Sequence, residues 1–221
     1  DSAVCEGGSI VIGGSPTGPI NATYNWVPGG TLNNNTLANP IASPSVTTEY
    51  IVTVTDSNGC VQLDSILITV NSAPVITINN DTSICIGSCV QLNASGGTGY
   101  IWSPATNLSN NIIANPIACP IITTNYIVTV TDTNTCVDTA AILITVNLPP
   151  SVNAGSNQSI CIGDSIVIGG SPTGPAGSSY LWTPSTTILD DTLANPTVFP
   201  ASLTTYTVTV TDSNGCVDIS T

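Results

Sequence analysis

Eight cysteines and thirteen acidic side chains are the only groups in this 221-residue sequence with strong chemistry of their own. Lysine, arginine and histidine are absent, so the net charge is −13 and no side-chain salt bridge can form. Acid–base catalysis near neutral pH draws on His, Lys or a carboxyl of raised pKa, and only the last is on offer. A glycosidase or an aspartic protease needs two facing carboxyls. The one adjacent pair is Asp190-Asp191, at a place where another part of the chain carries Asn110-Asn111. A serine nucleophile would lack a base. The expectation is a chain that is not an enzyme, with no catalytic, metal-binding or cofactor-binding residue assigned.

Calcium is the one ion that an all-oxygen ligand set would suit. Asp56-Ser57-Asn58-Gly59 and Asp212-Ser213-Asn214-Gly215 have the composition of a calcium loop's first half. Asp132-Thr133-Asn134-Thr135 has neither the glycine nor a second carboxylate, and a turn capped by its own aspartate explains all three. The missing cations exclude nucleic acid as a partner, because phosphates are held by Lys and Arg. They also disfavour an anionic membrane surface. The longest good apolar run, Ala140 to Val146, has seven residues, far short of the eighteen a membrane-inserted helix requires.

The cysteines recur. Cys5 and Cys60, Cys85 and Cys136, and Cys161 and Cys216 hold the same two positions in three copies. Pairing within each copy is the economical expectation, closing loops of about 55 residues for on the order of 4 kcal/mol in the chain-entropy model. Cys89 and Cys119 occur in the middle copy alone, where the others carry Ser9, Ser43, Ser165 and Phe199. A fourth bridge, Cys89 to Cys119, is expected; the alternatives are two free thiols or one intermolecular bond. With no His to share a zinc site, this usage places the chain in an oxidising, extracellular compartment.

The elements that carry these cysteines are strands. Tyr-x-Val-Thr-Val-Thr-Asp-x-Asn-x-Cys runs from Tyr50, Tyr126 and Tyr206 to Cys60, Cys136 and Cys216, with the alternation of a half-buried strand followed by turn residues. Tryptophans at 26, 102 and 182 set a period of 76 and then 80 residues. Each begins Trp-x-Pro, and each copy continues through Ala-Asn-Pro at 38–40, 114–116 and 194–196. The extra residues lie in Ser15–Pro19 and Ser171–Pro175, which the middle copy replaces by Gly96-Gly97-Thr98-Gly99. Further strands are expected at Val75–Ile78, Val90–Leu92, Tyr100–Trp102 and Ala141–Val146. No segment has a helical period. The fold class is therefore all-β: three tandem small two-sheet β-sandwich domains in an elongated array, at 1–73, 74–149 and 150–221. Each tryptophan is the expected core anchor, needing one partner for its N–H.

On this alignment copy one lacks the strand that Val75–Ile78 supplies, and copy three lacks the counterpart of Ile66–Val70. Open edges invite pairing, so the chain is expected to be a window of a longer array, or else to be completed by a strand from a neighbouring subunit. Asp1-Ser2-Ala3 is not a signal peptide, so a leader has been removed or the chain is an internal fragment.

Cys161-Ile162-Gly163-Asp164, Tyr180-Leu181-Trp182-Thr183-Pro184, Ala194-Asn195-Pro196, the run Thr204 to Asp212 and Asn214-Gly215-Cys216 together resemble the PKD-like or Ig-like repeats of large Bacteroidetes surface proteins. Those include gliding-motility adhesins exported by the type IX system. PKD domains proper follow Trp with Asp-Phe-Gly-Asp-Gly, whereas here Val27-Pro28, Ser103-Pro104 and Thr183-Pro184 follow it. Asp-Ser/Thr-apolar triplets resemble the O-glycosylation signal of secreted proteins from that phylum, which implies glycans at Ser2, Ser65, Thr139, Ser165 and Thr192; chance in a Ser/Thr-rich repeat is the alternative. The function expected is a non-catalytic segment of a cell-surface filament or stalk, its partners being copies of itself or neighbouring repeats end to end. An adhesin module binding glycan or protein, and a spacer in a larger secreted enzyme, are the alternatives. Loops of Gly, Pro, Asn and Thr, poor in exposed aromatics, favour the first.

Overall fold

The computed structural model describes residues 1–221, and every regular element in it is a strand. No helix is long and apolar enough to cross a membrane. The first repeat contains β1 (Ser2–Cys5), β2 (Ile10–Val11), β3 (Thr23–Val27), β4 (Ile41–Ala42), β5 (Thr48–Thr55) and β6 (Val61–Asn71). The second has β7 (Thr77–Ile78), β8 (Thr82–Cys85), β9 (Val90–Gln91), β10 (Ala94–Ser95), β11 (Gly99–Ser103), β12 (Ile117–Ala118), β13 (Thr124–Thr131) and β14 (Val137–Asn147). The third has β15 (Ile166–Val167), β16 (Ser179–Thr183), β17 (Thr197–Val198), β18 (Thr207–Thr211) and β19 (Val217–Ser220).

The same plan recurs. A larger sheet, ordered β1-β6-β5-β3, β11-β13-β14-β8 or β16-β18-β19, is accompanied by a two-stranded one, β2-β4, β12-β9 or β15-β17. In β5 the alternation read from sequence is explicit: Tyr50, Val52 and Val54 are buried and Glu49 and Ile51 are exposed. They pack with Ile12, Trp26, Ala42 and Ile68 into the first core. The third core is built likewise on Trp182, Val208 and Val210, with Val152, Ala154 and Ile168 against them. Each tryptophan N–H finds one carbonyl eleven residues on: Trp26 donates to Leu37, Trp102 to Ile113 and Trp182 to Leu193, each at 3.0 Å. A large apolar body is thus buried with its single donor satisfied. The chain forms two compact units: residues Asp1–Thr77, Ala94–Ile101 and Val128–Ala140 make one, and the remainder makes the other.

Two expectations about strands are corrected. The segment before the first cysteine of a repeat was not expected to be a strand, yet β1 and β8 are strands, and they pair in parallel with the far ends of β6 and β14. The last strand is a single run of eleven residues in β6 and β14, starting directly after the hairpin cysteine. Its first four residues have a counterpart in the third repeat, where β19 pairs with β18 from Thr211↔Val217 to Val208↔Ser220. The last strand of that repeat is therefore present in its opening part.

In the third repeat Val152 and Ala154 cover the core that Trp182, Val208 and Val210 form. At the corresponding place in the first repeat an open groove lies over Trp26, Val52 and Val54, walled by Pro16, Leu63 and Ile66. The first half of β6 beside it is exposed on both faces.

The loop that differs between copies depends on a glycine. Gly169 sits at φ +107°, and a Cβ there would lie 2.5 Å from Asn195 Nδ2 and 2.7 Å from the Ala194 carbonyl oxygen. Asn195 Nδ2 in turn donates to the Gly170 carbonyl at 3.0 Å, as Asn39 Nδ2 donates to the Gly14 carbonyl at 2.9 Å in the first repeat. Gly169→Ala is expected to cost more than about 2 kcal/mol, through both the positive φ and the clash. Chemical denaturation of the variant against the parent measures it.

Candidate functional site: the turns that join successive repeats

The feature common to all three repeats is the cysteine turn after the central strand. In each, the aspartate Oδ1 accepts two backbone N–H groups. Asp56 takes Asn58 and Cys60, Asp132 takes Asn134 and Cys136, and Asp212 takes Asn214 and Cys216, all at 2.8 Å. The Asp N–H donates back to the cysteine carbonyl at 2.9–3.0 Å. This closed ring of bonds holds the cysteine at one fixed place on the hairpin, and it accounts for the recurring Asp-x-Asn-x-Cys. No group of three or more Cys, Asp or Glu side chains converges anywhere in the chain.

The residue before the cysteine requires positive φ: Gly59 and Gly215 both lie at +81°, and Thr135 lies at +67°. A β-branched residue is strained there. Thr135→Gly is expected to stabilise the second hairpin by about 0.5–1 kcal/mol, seen as a higher denaturation midpoint. A lower midpoint would contradict this reading of the turn.

The bridges run between repeats. Cys5 is bonded to Cys136 and Cys85 to Cys216, each with Cα atoms 5.5 Å apart and 131 residues of sequence between them. The expected pairings within each copy, Cys5 to Cys60, Cys85 to Cys136 and Cys161 to Cys216, are thereby corrected. Cys60 and Cys161 are free and exposed. The physical reason is strand length. Cys60 stands at the start of β6, whereas Cys5 lies opposite Asn71 at its end, and the Glu6 N–H donates to the Asn71 carbonyl at 2.8 Å. Ten strand steps separate Val61 from Asn71, about 33 Å at 3.3 Å each, and a disulfide spans less than about 7 Å between Cα atoms. At the Asn71 end Cys5 meets the next repeat's hairpin instead, where Cys136 Sγ lies 4.0 Å from the Asn71 carbonyl oxygen. Cys136 and Cys216 are each 1 % exposed once bridged.

Cys89 and Cys119 form a third bridge, with Cα atoms 4.2 Å apart. The ladder explains it: Gln91 faces Ile117 and Val90 faces Ala118, so the next pair in register is Cys89 and Cys119.

No family model matches the sequence, and no curated protein does either. Among solved structures the chain is similar to Sidekick-1 immunoglobulin domains 1–4, at 12 % identity over 99 % of this chain and 71 % of that one, with a TM-score of 0.34. It is similar to Dpr2 Ig1-Ig2 in complex with DIP-Theta Ig1-Ig3, at 10 % identity over 100 % and 94 %, TM-score 0.30. It is also similar to the human Desmocollin-1 ectodomain, at 10 % identity over 99 % and 55 %, TM-score 0.28. Likeness at this level assigns neither a family nor a partner.

The remaining singled-out residues fall on the surface. Ser65 lies in β6, Thr139 in β14, and Ser165 and Thr192 in loops, all four exposed, while Ser2 opens β1 and is half-buried. The Thr192 hydroxyl donates to Asp190 Oδ1 at 2.6 Å, and its N–H does so at 3.0 Å. These bonds hold the Asp190 carboxyl below its ordinary pKa, the reverse of what a general acid needs. Asp1 and Asp81, four residues before Cys5 and Cys85, accept the N–H of Leu67 and Leu143 and so fasten β1 and β8 to the last strand. Sequence reasoning passed over these two; the shared Asp-x-x-x-Cys spacing was the signal available. Burial pushes the Tyr126 phenol up from its ordinary pKa, with its hydroxyl on the Thr106 carbonyl at 3.1 Å.

Proposed function

We propose that this chain is a structural segment of an extracellular, cell-surface filament or stalk, and that its work is to keep successive β-sandwich repeats, in the spans 1–73, 74–149 and 150–221, joined under load. The observation that carries the reading is the pair of bridges from the first cysteine of one repeat to the hairpin cysteine of the next. A linker between sandwiches yields by extension; a disulfide from sandwich to sandwich does not. Stapling of this kind adds nothing to a loop-borne recognition site, and it is what a tension-bearing element requires. The three disulfides support an oxidising compartment. The absence of Lys and Arg leaves no tryptic site in a chain that would spend its life outside the cell. The exposed hydroxyls of Ser65, Thr139, Ser165 and Thr192 are the positions where O-linked sugar would extend into solvent.

An adhesin reading asks instead for loops that present a ligand surface. Electron microscopy of the native material tests the choice. Regular filaments or stalks with an axial period of one or more repeats are the expected result, and dispersed single particles that bind a glycan array would overturn it.

A further inference from the structure

The two bridges between repeats close overlapping loops: Cys5 to Cys136 and Cys85 to Cys216 each span 131 residues. Cys85 to Cys136 is the one interval that lies inside both. Once noncovalent contacts yield, tension that enters before Cys5 and leaves after Cys216 takes the shortest covalent route. It crosses from Cys5 to Cys136, runs back along the chain to Cys85 and crosses again to Cys216. That return leg is 51 residue steps long. The intervals Cys5 to Cys85 and Cys136 to Cys216 are 80 steps each, so both stay slack when the shorter leg is taut.

The third bridge lies on that leg. Cys89 and Cys119, 30 residues apart in sequence, join two points of the taut interval and take the chain between them out of the route. What remains under tension is Cys85 to Cys89 and Cys119 to Cys136, 4 and 17 steps. The part removed holds β9 to β12, with Trp102 and the Ile113 carbonyl that its N–H meets at 3.0 Å. The part left taut holds β13, whose Tyr126, Val128 and Val130 are fully buried. The other two repeats lack the cysteine pair. Ser9 and Ser43, and Ser165 and Phe199, stand at the matching positions, in the two intervals that the staples already leave slack.

We propose that the Cys89–Cys119 bridge is a strap on the chain's line of tension: it caps how far the repeats can be drawn out and keeps the tryptophan-bearing part of the middle repeat out of the load. This rests on the reading of the chain as a tension-bearing element stapled repeat to repeat. At about 3.5 Å per residue, the fully extended route from residue 1 to residue 221 is about 105 Å with the strap closed and about 210 Å without it. The same chain with no bridges would extend to about 770 Å. The strap acts only while both staples are closed. With Cys5–Cys136 open, tension runs along the chain directly to Cys85 and across to Cys216. Residues 86–135 then carry none of it, and the limit is about 310 Å with or without the strap.

Single-molecule stretching in optical tweezers tests this on the full chain, held by ligation tags at its two ends. Free thiols are alkylated beforehand and no reductant is present, so the bridges cannot exchange. The parent is compared with the double variant Cys89→Ser, Cys119→Ser, and both are repeated with Cys5→Ser, Cys136→Ser added. The limiting extension is set by covalent connectivity, so a variant that folds poorly is still read. Loss of the strap is expected to lengthen the stapled chain by about 100 Å, a doubling of its limit, and to leave the chain without the first staple unchanged. No lengthening of the stapled chain, or equal lengthening in both backgrounds, would overturn the strap. Peptic mapping of the same samples separates the two readings. If Cys5–Cys136 and Cys85–Cys216 peptides are found and the limit ignores Cys89 and Cys119, this inference alone fails; if those peptides are absent, the stapled-repeat function fails with it.

Discussion

Cys136→Ser is expected to lower stability by on the order of 4–5 kcal/mol, the chain-entropy value for opening a loop of more than a hundred residues. The loop between Cys5 and Cys136 has that length. The position is 1 % exposed, so the serine hydroxyl would also be buried beside an unbonded Cys5 thiol, adding to the loss. Cys60→Ser removes an exposed free thiol and is expected to stay within about 0.5 kcal/mol of the parent. The contrast decides between pairings. Were Cys5 bonded to Cys60 and Cys85 to Cys136, the exposed substitution would be as costly as the buried one. Denaturant titration of both variants without reductant reads the difference, and the double variant Cys5→Ser, Cys136→Ser should match Cys136→Ser alone, since both break one bond.

Trp182→Ala is expected to cost about 3–5 kcal/mol, the range for removing a fully buried large aromatic from a packed core. Its ring is completely buried against Val208 and Val210. The third repeat has three strands in its larger sheet where the first has four. Trp182→Phe keeps much of the apolar area but leaves the Leu193 carbonyl without the indole N–H that meets it at 3.0 Å. It is expected to cost about 1–3 kcal/mol. Far-UV circular dichroism with denaturant separates the two variants. An alanine variant no weaker than the phenylalanine one would mean that the ring does not anchor this core.

The all-β fold and the core were legible because they rest on local signals: period-2 alternation from Tyr50 to Thr55, Trp-x-Pro, and Asp-x-Asn-x-Cys turns. The Cys89–Cys119 pairing was legible too, since both residues depart from the repeat together. The junctions were not. Counting along the sequence puts Cys5 and Cys60 in one copy, but pairing depends on which end of an eleven-residue strand each reaches, and that is set by the parallel partnership of β1 with residues 68–71. Parallel neighbours leave no hairpin in the sequence to announce them. The strand β1 is also short and its burial irregular, so alternation gave little warning.

The most direct test of the stapled junctions is disulfide mapping of the oxidised chain. Thiols are blocked in acid, the chain is digested with pepsin at low pH where exchange is slow, and bridged peptides are sequenced by mass spectrometry. Peptides linking Cys5 to Cys136 and Cys85 to Cys216, with blocked label on Cys60 and Cys161, are the result predicted. Peptides linking Cys5 to Cys60 and Cys85 to Cys136 would contradict it.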